Sequence, residues 1–324
     1  MNAGIDIGYS AVKLVSGERR STFPSVVGTP DVARFGLGES ADIVLETGSG
    51  PVMIGEGAVE QSRFLQRRED RAWIESDEYR LLFLAALSEL SPATAAGLVV
   101  VTGLPVAFYA DRDRLAVVLN GEHRVNRRGR RAQSFHVIDC RVVPQPFGAL
   151  LSLALDDRGR VTDTDLAGRA GIIDVGGKTT NVLSVSRLRE LPRETTSVSL
   201  GGWDVVRAVR DHLVAACPGL DLRDHQIAEA VAARQVLYYG RPVDLSPVVE
   251  PVLDQIAGVI IAQATQLWNG GAALDAVVVA GGGALLLGER IKRHPNFRHA
   301  RIVDDPVFAN AVGYWRLAQR IGAQ

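Results

Sequence analysis

The tetrapeptide Ile5-Asp6-Ile7-Gly8 near the start of the chain recurs as Ile173-Asp174-Val175-Gly176 near its middle. Each copy ends a short apolar stretch that is typical of a buried strand, and each leads through a turn into a second strand of a three-strand meander. Self-similarity across about half the chain predicts two homologous α/β halves. Clefts between such halves are preferred ligand sites, so we expect one there.

The length of 324 residues suits two domains. We predict domain I over residues 1–155, with a small loop-rich insertion at about 28–70. Domain II is predicted over 156–324, with a helical insertion at about 204–246. A C-terminal helix at about 307–321 is expected to pack back toward domain I.

Composition excludes several classes of protein. The net charge of −1 lacks the basic excess of direct nucleic-acid binders. Two isolated cysteines, Cys140 and Cys217, form neither a disulfide framework nor a metal-ligand pattern. The longest apolar runs are too short for a membrane segment, and no targeting sequence opens the chain, so we expect a soluble, cytoplasmic protein.

The first candidate loop runs from Asp6 to Lys13. Gly8 permits a tight turn, and the successive amides of Gly8, Tyr9 and Ser10 could cradle phosphate oxygens. Lys13, on the following strand, could reach the same anion. The alternative is an ordinary hairpin turn with a solvated aspartate.

The second candidate loop, Asp174 to Asn181, is richer in phosphate donors, with two glycines and two threonines. Asp174 is the counterpart of Asp6. Two carboxylates that meet at a nucleotide would be suitable ligands for Mg²⁺, often through water. An ordinary hairpin is again the alternative.

The third candidate loop contains Gly281, Gly282 and Gly283 between a buried strand and a helix. Such a turn lets a ligand approach the backbone and the helix N-terminus. Neither the dinucleotide-binding fingerprint nor the Walker pattern is present. Phosphates would therefore be held by hairpins.

These motifs together resemble the actin, heat-shock chaperone and sugar kinase superfamily. The resemblance covers the whole chain in order: the first phosphate motif Ile5–Lys13, the first connecting helix Val143–Leu150, the second phosphate motif Ile172–Asn181, the adenosine motif Val277–Ala284 and the second connecting helix Phe308–Tyr314. Within the superfamily, the chain is most similar to ParM/StbA-type and archaeal actin-like proteins. The resemblance implies an α/β actin-like ATPase fold, with two duplicated ribonuclease H-like domains around a nucleotide cleft.

The resemblance also implies roles for single residues. Gln145 would orient the attacking water, although a polar helix start between two prolines is the alternative. Asp6 and Asp174 would organise Mg²⁺ through water, as catalytic and metal-binding residues. Contacts to ATP or ADP are implied for Gly8, Tyr9, Ser10, Lys13, Gly176, Gly177, Lys178, Thr179 and Thr180 at the phosphates, Gly201 and Gly202 at the ribose, and Gly281, Gly282 and Gly283 at the adenosine.

One position departs from the family pattern. The second phosphate motif ends in Thr-Thr-Asn181, where Thr-Thr-Asp is usual. Asparagine supplies neither charge nor a base, so we expect nucleotide binding to survive and hydrolysis to be slow.

The resemblance implies an ATPase that forms head-to-tail filaments and serves plasmid or DNA segregation, or cytoskeletal positioning, through a DNA-binding adaptor protein. A small-molecule kinase of the same fold is disfavoured because Gln145 stands where a catalytic aspartate is needed. A non-polymerising chaperone-like or reactivase ATPase, and a scaffold that binds ATP without hydrolysis, remain alternatives.

A basic run contains Arg124, Arg127, Arg128, Arg130 and Arg131 at a predicted hairpin tip. We interpret it as a solvated hairpin. A contact with another subunit or with a polyanion is the alternative.

Overall fold

The computed structural model describes residues 1–30, 42–62, 65–66, 71–90 and 94–323. The chain divides into two compact units. The first comprises Met1–Asp163 and Phe308–Gln324, and the second comprises Thr164–Val307.

The first unit is built around a six-stranded sheet with the order β3-β2-β1-β8-β10-β9. Strands β1 and β8 pair in parallel, as do β8 and β10; β1 and residues 98–104 of β8 are buried and mostly apolar, whereas β10 alternates buried and exposed residues. The elements are β1 (Asn2–Ile7), β2 (Ala11–Ser16), β3 (Arg19–Pro24), β4 (Val27–Gly28), β5 (Ile43–Thr47), β6 (Gly50–Ile54), α1 (Glu56–Gln61), β7 (Leu65–Gln66), α2 (Asp77–Ser88), β8 (Thr94–Leu104), α3 (Arg112–Leu119), β9 (Gly121–Val125), β10 (Gln133–Pro144) and α4 (Gln145–Ala154).

The sequence predicts a helix that Ser76 caps and that runs to about Leu90, and α2 begins directly after this residue. The side chain of Ser76 accepts a hydrogen bond from the Tyr79 amide at 3.2 Å and satisfies one of the unpaired amides of the first turn. Leu82, Phe83 and Ala86 recur at helical spacing and are fully buried in the core of the first unit. The predicted helix after Ser76 is therefore confirmed.

The described part of the predicted insertion is more regular than its glycine-rich sequence indicates. It forms a second sheet with the order β5-β6-β4-β7. Residues 31–41, 63–64 and 67–70 of the predicted insertion lie outside the described residues.

The second unit repeats the strand order of the first. Its main sheet has the order β13-β12-β11-β17-β18, with β14 paired to β12. The elements are α5 (Thr164–Ala167), β11 (Arg169–Val175), β12 (Thr180–Ser186), β13 (Arg189–Glu190), β14 (Thr196–Val198), α6 (Gly202–Ala216), α7 (Asp224–Ala233), β15 (Gln235–Tyr238), β16 (Arg241–Asp244), α8 (Ser246–Leu267), β17 (Ala276–Ala280), α9 (Ala284–Arg293) and β18 (Arg301–Ile302).

One prediction in this unit is wrong. A helical insertion was predicted at about 204–246, but β15 and β16 form an antiparallel hairpin over 235–244. Tyr239 and Gly240, both at positive φ, make its turn. The β-branched and aromatic residues on either side favour strands, and Pro242 disfavours a helix interior.

Among the described residues, α8 is the one helix long and apolar enough to span a membrane by length and composition. About 33% of its most apolar window is buried inside the protein. Its buried residues, Val249, Leu253, Ile256, Ile260 and Ala264, recur at helical spacing and pack in the core of the second unit. This pattern is also that of an ordinary amphipathic core helix.

The chain returns to the first unit with α10 (Ala309–Gly322). This helix packs against α4 and β1, and glycines mark the closest approaches. A Cβ on Gly4 would overlap the carbonyl oxygen of Ala311, and a Cβ on Gly313 would overlap that of Gly148. Glycine is therefore required for the backbones to meet at this distance.

The basic run was predicted to be a solvated hairpin, and this prediction is wrong for Arg127. Arg127 is buried and pairs with Glu89, which follows α2. Arg130 donates to the carbonyl oxygen of Ser88 at 3.0 Å, and Arg128 pairs with Glu46 at 2.9 Å. Much of the basic run is therefore neutralised inside the first unit.

Glu89 should make stability depend on acid pH. Partial burial favours a higher pKa for this carboxyl, but hydrogen bonds and the charges of Arg127 and Arg130 outweigh it and hold the pKa below its usual value. A depressed pKa in the folded state contributes stability that is complete above the unfolded-state pKa, about 4.3, and is lost as the pH falls through the folded-state pKa. We expect Glu89→Gln to lower the free energy of unfolding by about 2 kcal/mol at pH 7, measured by urea denaturation.

The deficit should shrink as the pH is lowered from 7 to 3.5, because below the unfolded-state pKa the unfolded chain binds a proton that the ion-paired carboxylate of the folded state resists. Glu46→Gln is the matched control, since Glu46 pairs with Arg128 on the surface and should change the free energy by less than about 0.5 kcal/mol. Equal deficits for Glu89→Gln at both pH values would contradict the assignment.

Candidate nucleotide-binding site

The two duplicated hairpins have the same register. In the first, Asp6 lies opposite Lys13, and the amide of Gly8 donates to the carbonyl of Ala11 at 3.1 Å. In the second, Asp174 lies opposite Asn181. There the amide of Gly176 donates to the carbonyl of Thr179 at 2.9 Å, so the repeat in sequence is also a repeat in backbone geometry.

Ser25, which the sequence analysis did not identify, fixes the backbone of the first loop through two hydrogen bonds. Ser25, just after β3, is buried, and its hydroxyl donates to the carbonyl of Gly8 at 2.6 Å. Its amide donates to the carbonyl of Ser10 at 3.1 Å. Both carbonyls are thereby turned toward the protein, which leaves this turn fixed for amide contacts to an anion.

Three polar side chains converge beside the first loop. Asp6 is 4% exposed, and its Oδ2 atom lies 3.4 Å from Nζ of Lys13. The Nε2 group of Gln145, the first residue of α4, donates to Oδ1 of Asp6 at 3.1 Å. A buried carboxylate needs such partners, because an unpaired buried charge is strongly destabilising.

This contact fixes the orientation of the Gln145 amide. A carboxylate accepts but does not donate, so the NH₂ group must face Asp6 and the Oε1 atom must face away. Oε1 has no donor among the described residues. It is therefore available to accept a hydrogen bond from a water molecule, which is the contact required to orient a nucleophilic water.

An apolar wall adjoins these polar groups. The pocket beside Gly8 and Gln145 is lined by the side chains of Ile7, Tyr9, Trp73, Leu104, Pro105 and Phe108. The ring of Tyr9 stacks on Trp73, with centroids 4.8 Å apart and planes 22° apart. Tyr9 is thus packed inside the first unit, and the amide rather than the ring is the group it offers to a phosphate.

The second loop is supported by the residues that follow β14. The amides of Gly202 and Trp203 donate to the carbonyls of Gly176 and Gly177 at 3.1 and 2.8 Å. A Cβ on Gly201 would lie 2.5 Å from the carbonyl oxygen of Gly176. The glycines predicted at the ribose therefore contact the phosphate loop directly, and Gly201 has no space for a side chain.

The two threonines of this loop have different environments. Thr180 is fully buried, and its hydroxyl donates to the carbonyl of Leu200 at 2.9 Å. Its one hydroxyl hydrogen is thus used within the protein. Thr179 and Lys178 are half-buried at the turn and are better placed for a ligand.

The third loop packs on the second. The amide of Gly283 donates to the carbonyl of Val175 at 2.9 Å, and a Cβ on Gly281, which has φ +83°, would overlap Oδ1 of Asp174. These two glycines are required by the packing of the second unit. Gly282 has open space around its Cα, so it is the glycine that a ligand could approach.

Asn181, where the family pattern has aspartate, is also engaged. It is buried, and its Oδ1 atom accepts a hydrogen bond from the hydroxyl of Ser197 on β14. The amide thus helps to fix β14 against β12.

The residues present fit an outer-sphere magnesium site. No group of three or more His, Cys, Asp or Glu side chains that could hold a metal occurs among the described residues. Mg²⁺ in nucleotide sites uses one or two carboxylates, retained waters and the phosphates themselves, and each of the two loops supplies one buried carboxylate, Asp6 in the first unit and Asp174 in the second.

Two known protein families match the chain. Residues 4–148 match the N-terminal domain of actin-like proteins, and residues 172–293 match the C-terminal region of the archaeal MreB-like actin homologues. The two matches together cover most of the chain and occur in the order that the repeat predicts. The chain therefore belongs to the actin-like ATPase family, as the sequence resemblance implied.

Whole-chain relatives agree with this assignment. The archaeal actin homologues of Thermoplasma volcanium and Thermoplasma acidophilum are each 25% identical over 334 residues, with 98% of both chains covered. Among solved structures, an archaeal actin homologue matches with a TM-score of 0.83, at 24% identity, over 99% of both chains. A ParM filament from Clostridium botulinum matches with a TM-score of 0.77, at 22% identity, over 98% of this chain and 99% of that one. The predicted actin-like fold is confirmed.

Proposed function

We propose that this protein is an ATPase that binds Mg·ATP through its duplicated loops, hydrolyses it slowly and assembles with copies of itself. The observation that carries the proposal is the contact of Gln145 with Asp6 at 3.1 Å beside the first phosphate loop. A crystal structure of an archaeal actin homologue in complex with ADP, which matches this chain with a TM-score of 0.79 at 23% identity, supports nucleotide binding.

Each group has a stated task in this proposal. The amides of Gly8, Tyr9 and Ser10, with Lys13, bind phosphate oxygens. Asp6 would hold the magnesium ion through its bound waters, and the ion would supply positive charge to the phosphates. Gln145 would orient a water through Oε1. The water oxygen would attack the terminal phosphorus while the bond to ADP breaks, and the proton that the water loses would pass to the released phosphate.

We propose corresponding nucleotide contacts for the second unit, through Asp174 and its loop. Gly177, Lys178 and Thr179 are proposed phosphate contacts, with Gly201 and Gly202 behind them. Gly282 is the proposed point of approach for the adenosine. Thr180 and Asn181 would act by fixing the loop.

Self-association is the second part of the proposal. The similarity to a ParM filament supports it. A heterologous contact that does not close on itself produces a filament, and nucleotide state would set its strength. We propose a cytoplasmic location and, by resemblance to ParM-type proteins, a role in DNA segregation through an adaptor protein.

Purified protein tests the proposal directly. We expect calorimetry to detect magnesium-dependent binding of ATP, phosphate to be released from ATP alone, and ATP to produce sedimentable polymer. Asp6→Asn should weaken the magnesium-dependent affinity about 10- to 100-fold, because it removes a charge that organises the metal. Asp113→Asn, an exposed surface change, is the control and should leave the affinity unchanged.

The outcomes separate the rival functions. No magnesium-dependent affinity would refute the whole proposal. Binding and polymer without phosphate release would favour a nucleotide-binding scaffold. Phosphate release without polymer over a wide range of protein and salt concentration would refute only the filament.

A further inference from the structure

The hydroxyl of Tyr314 on α10 contacts the backbone of the proposed water-orienting residue. It donates to the carbonyl oxygen of Gln145 at 3.2 Å. Tyr314 is fully buried and is among the largest fully buried side chains of the described residues. The ring is therefore a fixed support, and a flexible surface contact is excluded.

The slot that holds this ring is made by two glycines. A Cβ on Gly148 would lie 2.5 Å from Cε1 of Tyr314, and a Cβ on Gly103 would overlap the Tyr314 hydroxyl. The same Gly103 Cβ would lie 3.1 Å from Cγ of Gln145. The phenol, the end of β8 and the Gln145 side chain therefore pack together with no spare volume.

Helix α10 also contacts the next turn of α4. In a regular helix the amide of Ala149 donates to the carbonyl four residues earlier, which is that of Gln145. The Ala149 amide also donates to Oδ1 of Asn310 at 2.9 Å. Asn310 and Tyr314 lie one turn apart on α10, so one face of that helix contacts both the amide of Ala149 and the carbonyl of Gln145.

We infer that Tyr314 is a positioning residue for the hydrolysis proposed above, and the inference rests on that proposed function. The first turn of a helix lacks intrahelical partners for its amides and frays easily. The hydroxyl of Tyr314 holds the backbone of Gln145 in this turn, and the side-chain amide consequently stays within hydrogen-bonding distance of Asp6 with Oε1 directed at the water. Small displacements of a group that orients a nucleophile reduce the rate steeply.

The test is Tyr314→Phe, which keeps the ring and removes only the hydroxyl. We expect kcat for phosphate release to fall about three- to tenfold, the effect of losing one hydrogen bond. KM and the affinity for ADP should stay within about twofold of the wild type. Tyr238→Phe is the matched control, because Tyr238 also donates to a backbone carbonyl, that of Pro218 at 2.9 Å, away from Gln145.

A double-mutant cycle distinguishes positioning from a general structural role. If Tyr314 acts through the Gln145 side chain, Gln145→Ala and the double variant Gln145→Ala/Tyr314→Phe should have the same kcat. An unchanged kcat in Tyr314→Phe, or an equal further loss in the Gln145→Ala background, would overturn the inference. A wild type that releases no phosphate would refute the proposed function, and the inference with it.

Discussion

Replacing Gln145 by alanine is expected to lower kcat for phosphate release about 100-fold, with magnesium-dependent affinity for ATP nearly unchanged. The amide contacts Asp6 at 3.1 Å through Nε2, which leaves Oε1 to orient the water. Loss of one group that acts in the transition state of such a reaction costs about 10²- to 10³-fold. Single-turnover phosphate release and calorimetry measure the two quantities separately.

Gln61→Ala is the matched control for this prediction. Gln61 also donates its side-chain amide to a carboxylate, Asp42, at 3.4 Å, but it lies on α1 away from the phosphate loop. It should leave kcat unchanged. If Gln145→Ala hydrolysed ATP at the wild-type rate, Gln145 would be only a polar helix start, and the site would need another residue to orient water.

The duplicated hairpins were predictable because their signal is local. Asp6 and Asp174 each end an apolar run and precede a glycine turn, and short-range patterns of this kind determine hairpins. Both turns have the expected glycine and the same register. The matching strand order of the two sheets follows from the same duplication.

The contacts of the catalytic candidate were not predictable from local pattern. Gln145 reaches Asp6 because β8 pairs with both β1 and β10 in parallel, so that the ends of three strands meet. Parallel pairing over such separations leaves no local sequence signal. The contact of Tyr314 with Gln145 also joins residues that lie far apart in the sequence, so no local pattern predicts it. Tyr314 itself lies in the second connecting helix, Phe308–Tyr314, that the resemblance identified.

Two further differences arose from residues interpreted by composition. The basic run was interpreted as solvated, but Arg127 is buried and forms an ion pair with Glu89, which lies 38 residues earlier in the chain. The glycine-rich segment at 28–70 was interpreted as loops, but Gly28 in β4 pairs with Met53 in β6, although β5 lies between these strands in the sequence. Composition indicates average exposure, and specific tertiary pairing overrides it.

Gly313→Ala is expected to lower the free energy of unfolding by about 3 kcal/mol, and it tests whether α4 and α10 cross as closely as described. The new Cβ would overlap the carbonyl oxygen of Gly148, lie 2.7 Å from its carbon and lie 2.9 Å from the amide nitrogen of Ser152. These are backbone atoms, so no rotamer change relieves the overlap, and overpacking of this kind costs more than the roughly 1 kcal/mol that alanine contributes to helix propensity. Urea denaturation followed by circular dichroism measures the change.

Gly258→Ala on α8 is the control: its Cβ would meet no atom within 4 Å, so helix propensity should dominate and raise stability by up to about 1 kcal/mol. Since displacing α10 also moves Tyr314, the residual folded fraction of Gly313→Ala should hydrolyse ATP more slowly, whereas a variant as stable and active as the wild type would mean that the two helices do not meet at these glycines.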